Sequence, residues 1–169
     1  MRQRLYLTGF MGSGKSHTGT RLAELLNVPL VDLDDEIETA AGMTIAEIFA
    51  AEGEEAFRLR ERAALRATTR HPVAIVSTGG GAPCFHDGMR WMNDHGTTVF
   101  LDPPPDVLLA RLDAGRAHRP LLQAQDDLRE QVIARLAARR PVYEKAKIHL
   151  RPTDPNADVA RLLFDYLTM

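Results

Sequence analysis

Short apolar runs alternate with longer amphipathic stretches along this chain. Leu5-Tyr6-Leu7 predicts a strand over about Arg4 to Thr8. A helix is expected from Lys15 to Leu26, with Leu22, Leu25 and Leu26 on one face, stopped by Asn27 and Pro29. Leu30 to Leu33 predicts a second strand. Glu36 to Arg70 predicts helix with breaks near Gly42 and Gly53, and Thr44 with Glu47 forms a capping-box pattern. Val73 to Val76 is continuously apolar, the pattern of a parallel strand buried on both faces. A helix from Pro83 to His95 and a strand from Thr97 to Leu101 follow. Asp102-Pro103-Pro104-Pro105 then opens a helix through Leu108, Leu109 and Leu112. Asp126 to Arg140 predicts a helix with Leu128, Val132, Ile133 and Leu136 on one stripe. Lys147 to Leu150 is a last short strand, Arg151 to Asn156 a loop, and Asp158 to Leu167 a final amphipathic helix. Strand alternates with helix throughout. The expectation is a three-layer α/β/α domain with a parallel sheet of about five strands.

The glycine stretch after the first strand is the chemical centre. Gly9 to Ser16 fits G-x-x-x-x-G-K-[ST], with Gly9, Gly14, Lys15 and Ser16 at the fixed positions. Glycines let several backbone N–H groups point into one hollow that binds phosphate oxygens. The lysine reaches the β- and γ-phosphates, the Ser16 hydroxyl ligates Mg²⁺, and the following helix aims its positive end at the same place. A dinucleotide fingerprint would need glycine at position 17, where the chain has His17.

Other stretches carry two readings each. Alternation along a strand puts Asp32 and Asp34 on the same side, at the exit where ligands bind in open α/β sheets; Asp34 also suits a helix N-cap. Glu54, Arg58 and Glu61 share a helical face, which suits a solvated salt-bridge face or carboxylates posing Arg58 for an anionic ligand. Gly79-Gly80-Gly81 directly after a buried strand suits backbone approaching a ligand closely, or a flexible connection. Gly115 to Pro120 is basic and glycine-hinged, a surface loop or a lid carrying arginine over phosphates. Arg139 and Arg140 lie at a helix end, where cations also complement the helix dipole.

Length and composition narrow the classes. A chain of 169 residues suits one domain, residues 1–169. A net charge of −2 gives no general reason to expect nucleic acid or a membrane surface as partner, and no apolar run has the length of a membrane span. A lone Cys84 cannot form an internal disulfide, and no apolar signal region precedes Gly9, so a cytoplasmic setting is expected. Cys84 itself suits a small buried hydrophobe better than a nucleophile. The six histidines show no metal-ligand spacing, so no zinc site is expected, and no G-x-S-x-G elbow occurs. No apolar interface stripe is left over, so a monomer is expected.

Taken together, the separated motifs resemble those of the shikimate kinase family, P-loop kinases of the nucleoside monophosphate kinase type. The likeness covers nearly the whole chain. It rests on the phosphate loop, Asp32-x-Asp34, Phe57-Arg58-x-x-Glu61, Gly79-Gly80-Gly81-Ala82, Arg119-Pro120-Leu121-Leu122 and Arg139-x-Pro141-x-Tyr143. The resemblance implies ATP as co-substrate, Mg²⁺ as metal and shikimate as phosphoryl acceptor. It implies that Gly12, Ser13, Gly14, Lys15, Ser16 and His17 surround the nucleotide phosphates, with Lys15 on the transferred group and Ser16 on the metal. Asp32 would hold the metal through water, and Asp34 would orient or deprotonate the attacking hydroxyl. Arg58 and Arg139 would clamp the shikimate carboxylate, Glu61 would steady Arg58, and Phe49 and Phe57 would wall the pocket. Gly80 and Gly81 would contact the substrate through their backbone, with Gly79 shaping the turn. Arg119 would be the lid arginine, and Arg111 and Pro155 would flank adenine. Residues 34–61 would form the substrate-binding region and 113–124 the lid. His17 stands where the family usually has threonine, and Arg140 where it often has a small or amide residue. A gluconate-type sugar-acid kinase shares the fold and the loop; Arg58, Arg139 and the triple glycine favour shikimate. An inactive nucleotide-binding regulatory domain is the alternative of another class, opposed by intact Lys15, Ser16, Asp32, Asp34 and Arg119.

Overall fold

The computed structural model describes residues 3–115 and 125–169. In chain order the elements are β1 (Arg4–Thr8), α1 (Lys15–Leu26), β2 (Leu30–Asp32), α2 (Leu33–Ala41), α3 (Ile45–Ala67), β3 (Ile75–Ser77), α4 (Gly88–His95), β4 (Gly96–Leu101), α5 (Pro105–Ala114), α6 (Gln125–Tyr143), β5 (Ile148–Leu150) and α7 (Val159–Thr168). The five strands are all parallel, in the order β2-β3-β1-β4-β5. Asp32 and Leu7 both pair with Ser77, and Thr8 pairs with Phe100, so the strand exits lie level. The loops leaving those exits therefore gather at one edge, the position where open parallel sheets bind ligands.

Alternation along the central strands separates two cores. Leu5, Leu7, Ile75, Val99 and Leu101 face one side, where Leu22 and Ala23 of α1 and Leu163 of α7 cover them. Tyr6, Ala74, Val76 and Phe100 face the other side, packed with Met89 and Met92 of α4, Leu108 and Leu112 of α5, and Leu128, Val132 and Leu136 of α6. The expected double burial of the third strand is thus realised residue by residue. A third, smaller core of Ile37, Ile48 and Phe57 holds α2 and α3 together. The Thr44–Glu47 capping box is formed in both directions, at 3.2 and 2.7 Å. Gly53 breaks the helical path of α3 with φ of 83°.

Several boundaries differ from the sequence reading. Leu33 begins a helix and does not end a strand, because Asp32 caps α2 from the last position of β2. Pro83 lies in a 3₁₀ turn, Ala82–Cys84, and α4 starts only at Gly88. His86 and Asp87 in between have positive φ, which interrupts any continuous helix from Pro83. Helix α6 runs past Arg140 through Pro141 to Tyr143. The missing proline N–H is tolerated in the last turn, where Tyr143 is fully buried with its ring 5.1 Å from that of Phe100. Ile133 does not join the α6 stripe; it is exposed, about 100° around the helix from Val132. Cys84 is half-buried against the second core, and that burial pushes its thiol up.

Ile75 is buried in the sheet's central layer. Ile75→Ala should lower unfolding free energy by about 2–5 kcal/mol, the usual cost of deleting such a side chain, read as a lower midpoint in urea denaturation.

Candidate active site

The phosphate loop leaves β1 and turns straight into α1. Gly9, Gly12 and Gly14 take positive φ, and Gly14 occupies the N-cap of α1 with no side-chain cap. The first N–H groups of α1 thus remain available to an anion. The Lys15 ammonium lies inside the loop, donating to the carbonyls of Gly9 at 2.8 Å and Phe10 at 2.9 Å. Arg111 reaches across from α5 and donates to the Gly12 carbonyl at 3.1 Å. An open cleft runs from here, lined by Ser13, Gly14, His17, Arg111 and Pro155 among others. Among the described residues, the structure therefore brings Gly12 to His17, Arg111 and Pro155 together around one loop.

At the exit of β2 the two aspartates do not share a strand face. Asp32 ends the strand and caps α2, its Oδ1 accepting from the Asp34 N–H at 3.0 Å. Asp34 sits in the first turn of α2, so the strand-alternation expectation is corrected and the N-cap role falls to Asp32. The other oxygen of Asp32 accepts from the Ser16 hydroxyl at 3.1 Å. A hydroxyl and a carboxylate are hard oxygen donors, and so few fit Mg²⁺, which keeps most of its waters and takes the rest of its ligands from phosphates. Burial pushes the Asp34 carboxyl above the ordinary carboxylate range; the neighbouring Asp32 charge adds to this and Lys15 opposes it. A carboxylate raised in this way is the better proton acceptor.

The third group of residues meets at Gly79–Gly81, after β3. Arg58 and Glu61 of α3 are 7% and 3% exposed, so this is a buried pair and not a solvated face. Arg58 Nη1 donates to Glu61 Oε1 at 2.8 Å and Nη2 to Glu54 at 3.3 Å. The Arg58 guanidinium also lies 4.1 Å from the centre of the Phe85 ring, a neighbour that no motif in the chain points to. Burial raises Glu61, and its Arg58 partner opposes that rise. The glycines are needed because these side chains press on them. A Cβ on Gly79 would stand 2.9 Å from Glu61 Oε2 and 3.4 Å from Asp34 Oδ1. One on Gly80 would stand 3.3 Å from Arg139 Nη1 and 3.5 Å from the Met11 nitrogen. One on Gly81 would overlap the Arg58 guanidinium. The triple glycine thus lets Asp34, Arg58, Glu61 and Arg139 converge beside the phosphate loop. Phe57 is buried next to Arg58, and Phe49 is partly exposed with its ring 4.7 Å from that of Phe57.

Two expected elements stand apart. Arg140 is turned away from Arg139, into a forked ion pair with Asp102 at 2.8 and 3.0 Å, which Arg151 joins. Arg119 and residues 116–124 of the expected lid lie outside the described residues.

A P-loop α/β domain with a carboxylate and two arginines gathered beside its phosphate loop is a small-molecule kinase in architecture. Comparison with known proteins makes the assignment particular. The family model for shikimate kinase matches residues 11–167. A shikimate kinase of Bacteroides thetaiotaomicron is 44% identical over 146 residues, covering 85% of this chain and 83% of its own. One from Rhodopirellula baltica is 41% identical over 167 residues, covering 98% and 89%. Among solved structures, the B. thetaiotaomicron shikimate kinase superposes with a TM-score of 0.90 at 39% identity, covering 99% of both chains. The Acinetobacter baumannii enzyme in complex with shikimate gives 0.87 at 34% identity, covering 98% of this chain and 93% of its own. A Sinorhizobium meliloti gluconokinase shares the fold, with a TM-score of 0.59 at 20% identity over 99% and 92%. The chain belongs to the shikimate kinase family.

Two outcomes follow from this geometry. Gly81→Ala should push Arg58 out of its pose and raise the acceptor KM at least roughly tenfold, the scale of a lost hydrogen bond to a charged group. Nucleotide affinity, measured by calorimetric titration, should hold. Because folding raises the Asp34 pKa, the ionised side chain disfavours the folded state at neutral pH. Asp34→Asn should therefore raise the Tm near pH 7 in scanning calorimetry. The gain should shrink as pH falls through the carboxylate range, where the wild-type side chain is protonated.

Proposed function

We propose that this chain transfers the γ-phosphoryl group of ATP to the 3-hydroxyl of shikimate, giving shikimate 3-phosphate and ADP. The observation that carries this reading is the convergence of Asp34, Arg58, Glu61 and Arg139 on Gly79–Gly81, in contact with the phosphate loop. A small carboxylate suits two guanidinium groups, whose planar forks pair with it bidentately.

In this reading the N–H groups of the loop and of the α1 N-terminus hold the ATP phosphates, and Arg111 and Pro155 flank adenine. Ser16 and Asp32 would hold Mg²⁺, which would supply positive charge to the nucleotide phosphates. Lys15 turns from its carbonyl partners to the transferring group. Arg58 and Arg139 hold the acceptor carboxylate, Phe49 and Phe57 wall its ring, and Glu61 keeps Arg58 in place. Asp34 accepts the proton as the acceptor oxygen bonds to the γ-phosphorus. The bond from that phosphorus to the β,γ-bridging oxygen breaks, and its electron pair leaves with ADP. Residues 34–61 serve as the substrate-binding region, and the part of the lid, with Arg119 for the phosphates, falls to 113–124. The enzyme works as a monomer in the cytoplasm.

Coupled ADP release with ATP and Mg²⁺, comparing shikimate, gluconate and no acceptor, tests the reading. Release with shikimate alone is expected; release with gluconate instead would remove the carboxylate clamp as drawn, and acceptor-independent behaviour would leave only a nucleotide-binding domain. Lys15→Ala should abolish turnover. Asp34→Asn should lower kcat by roughly 10²–10⁴-fold, the usual range for a general base. Arg139→Ala should raise the shikimate KM while leaving ATP affinity in place.

A further inference from the structure

One wall of the nucleotide cleft is a stretch of chain without regular structure. Pro155, Asn156, Ala157 and Asp158 line the cleft together with Arg111 and the phosphate loop. They belong to the segment that joins β5 to α7. That segment is tied at each end by an arginine–aspartate pair. At the far end Asp158 accepts from Arg21 of α1 at 2.8 and 3.1 Å, and caps α7 through the Arg161 N–H at 3.0 Å. At the near end Arg151 Nε donates to Asp102 Oδ2 at 3.1 Å. Between the ends, among the described residues, the hydrogen bonds are the segment's own: Asp154 accepts from the Asn156 N–H at 2.8 Å and from the Ala157 N–H at 3.1 Å.

Asp102 is well placed to hold the near end. It directly follows β4, and its N–H donates to the Leu150 carbonyl at 2.8 Å, so β5 finishes beside it. Its side chain is only 8% exposed. Arg140 of α6 takes both carboxylate oxygens at 2.8 and 3.0 Å, which fixes the plane of the group that Arg151 meets. Glu144 stands 3.8 Å from Arg140 and 3.7 Å from Arg151, so two cations and two carboxylates close a ring. An isolated exposed ion pair holds little, whereas a forked pair on a buried carboxylate within a network holds its geometry. We infer that Asp102 is a positioning residue for the nucleotide base: oriented by Arg140, it fixes Arg151 and with it the start of the wall that carries Pro155. A wall held in place beforehand loses less freedom when the base arrives. The inference rests on Pro155 and Arg111 flanking adenine.

The test is Asp102→Asn, read by calorimetric titration with ATP and, separately, with inorganic triphosphate, each with Mg²⁺. The Kd for ATP should rise about five- to tenfold, the scale of ordering a loosened segment on binding. The Kd for triphosphate, which has no base to meet the wall, should stay within about twofold. In turnover the KM for ATP should rise while kcat and the shikimate KM stay within about twofold. Leu128, Val132 and Leu136 anchor α6 to the core independently of Arg140, which keeps Arg139 in place. Arg151→Gln should reproduce the ATP-only loss, and the double variant should cost no more than either single one, because Asp102 acts through Arg151. Equal losses for ATP and triphosphate, an unchanged Kd for ATP, or additive losses in the double variant would overturn the inference. If circular dichroism shows that Asp102→Asn does not fold, Arg151→Gln carries the test alone, since Arg151 is 60% exposed; an unchanged Kd for ATP in that variant overturns it equally. Arg111→Ala separates the two readings. If it leaves the preference for ATP over triphosphate intact, the placement of adenine is itself wrong. If it removes that preference while Asp102→Asn and Arg151→Gln keep it, only the role of Asp102 fails.

Discussion

A guanidinium and a carboxylate taken out of water must be taken together, since either alone would be strongly disfavoured in the interior. Arg58 and Glu61 are both buried, and their 2.8 Å bond is the contact around which the acceptor side is arranged. The pair needs room, and the bend after β3 runs directly beside it. A Cβ on Gly81 would overlap Arg58, one on Gly79 would press on Glu61, and one on Gly80 would sit tightly against Arg139. The same closeness brings Asp34 and Arg139 into the group. Glu61 and Glu54 already hold Arg58, so an anionic ligand would have to compete with them for it. Such competition favours a carboxylate that can take both arginines at once over a ligand that can reach only one.

The nucleotide side is organised by a different constraint, the unsatisfied N–H groups at a helix start. Gly14 leaves α1 without a side-chain cap, while α2 is capped by Asp32. The uncapped helix faces the phosphate loop, and the capped one places Asp34 two residues past its cap in the first turn. Asp32 therefore does two things at one point: it ends β2 and starts α2 through one oxygen, and it meets Ser16 through the other. The register of the sheet makes this possible, because Asp32 pairs with Ser77 level with the end of β1. The spacing of Asp32 and Ser16 follows from strand ends that lie level across the sheet.

Much of this was legible in the chain, and the exceptions have physical causes. The strands were found within a residue or two because each is a short apolar run between turn residues. The β2 boundary was misplaced because Asp32-Leu33-Asp34 alternates like a strand, while a capping bond from an aspartate side chain is equally local and won. Ile133 joins the expected stripe because its spacing from Leu136 is helical, but α6 buries a narrower seam of Leu128, Val132 and Leu136 and leaves Ile133 exposed. The helix expected over Asp126 to Arg140 runs on through Pro141 to Tyr143, whose side chain is fully buried. The Glu54-Arg58-Glu61 face could be solvated or buried with the same letters, and the packing of α3 against the glycine bend made the choice.

By itself the sequence determined the layer order, the phosphate loop and the carboxylates and arginines available for chemistry. Those are local properties: hydrophobic period sets strand or helix, and one spacing of glycine, lysine and serine sets the loop. Only the tertiary structure decided which charges lie in contact and in what pose. Arg58, Gly81, Arg139 and Tyr143 belong to three distant segments, and Phe85 joins Arg58 from a turn with no motif of its own. Their proximity depends on α3 and α6 packing from different directions onto the bend after β3. No periodicity within one segment records that meeting, because it is a contact between segments whose separate patterns would be the same without it.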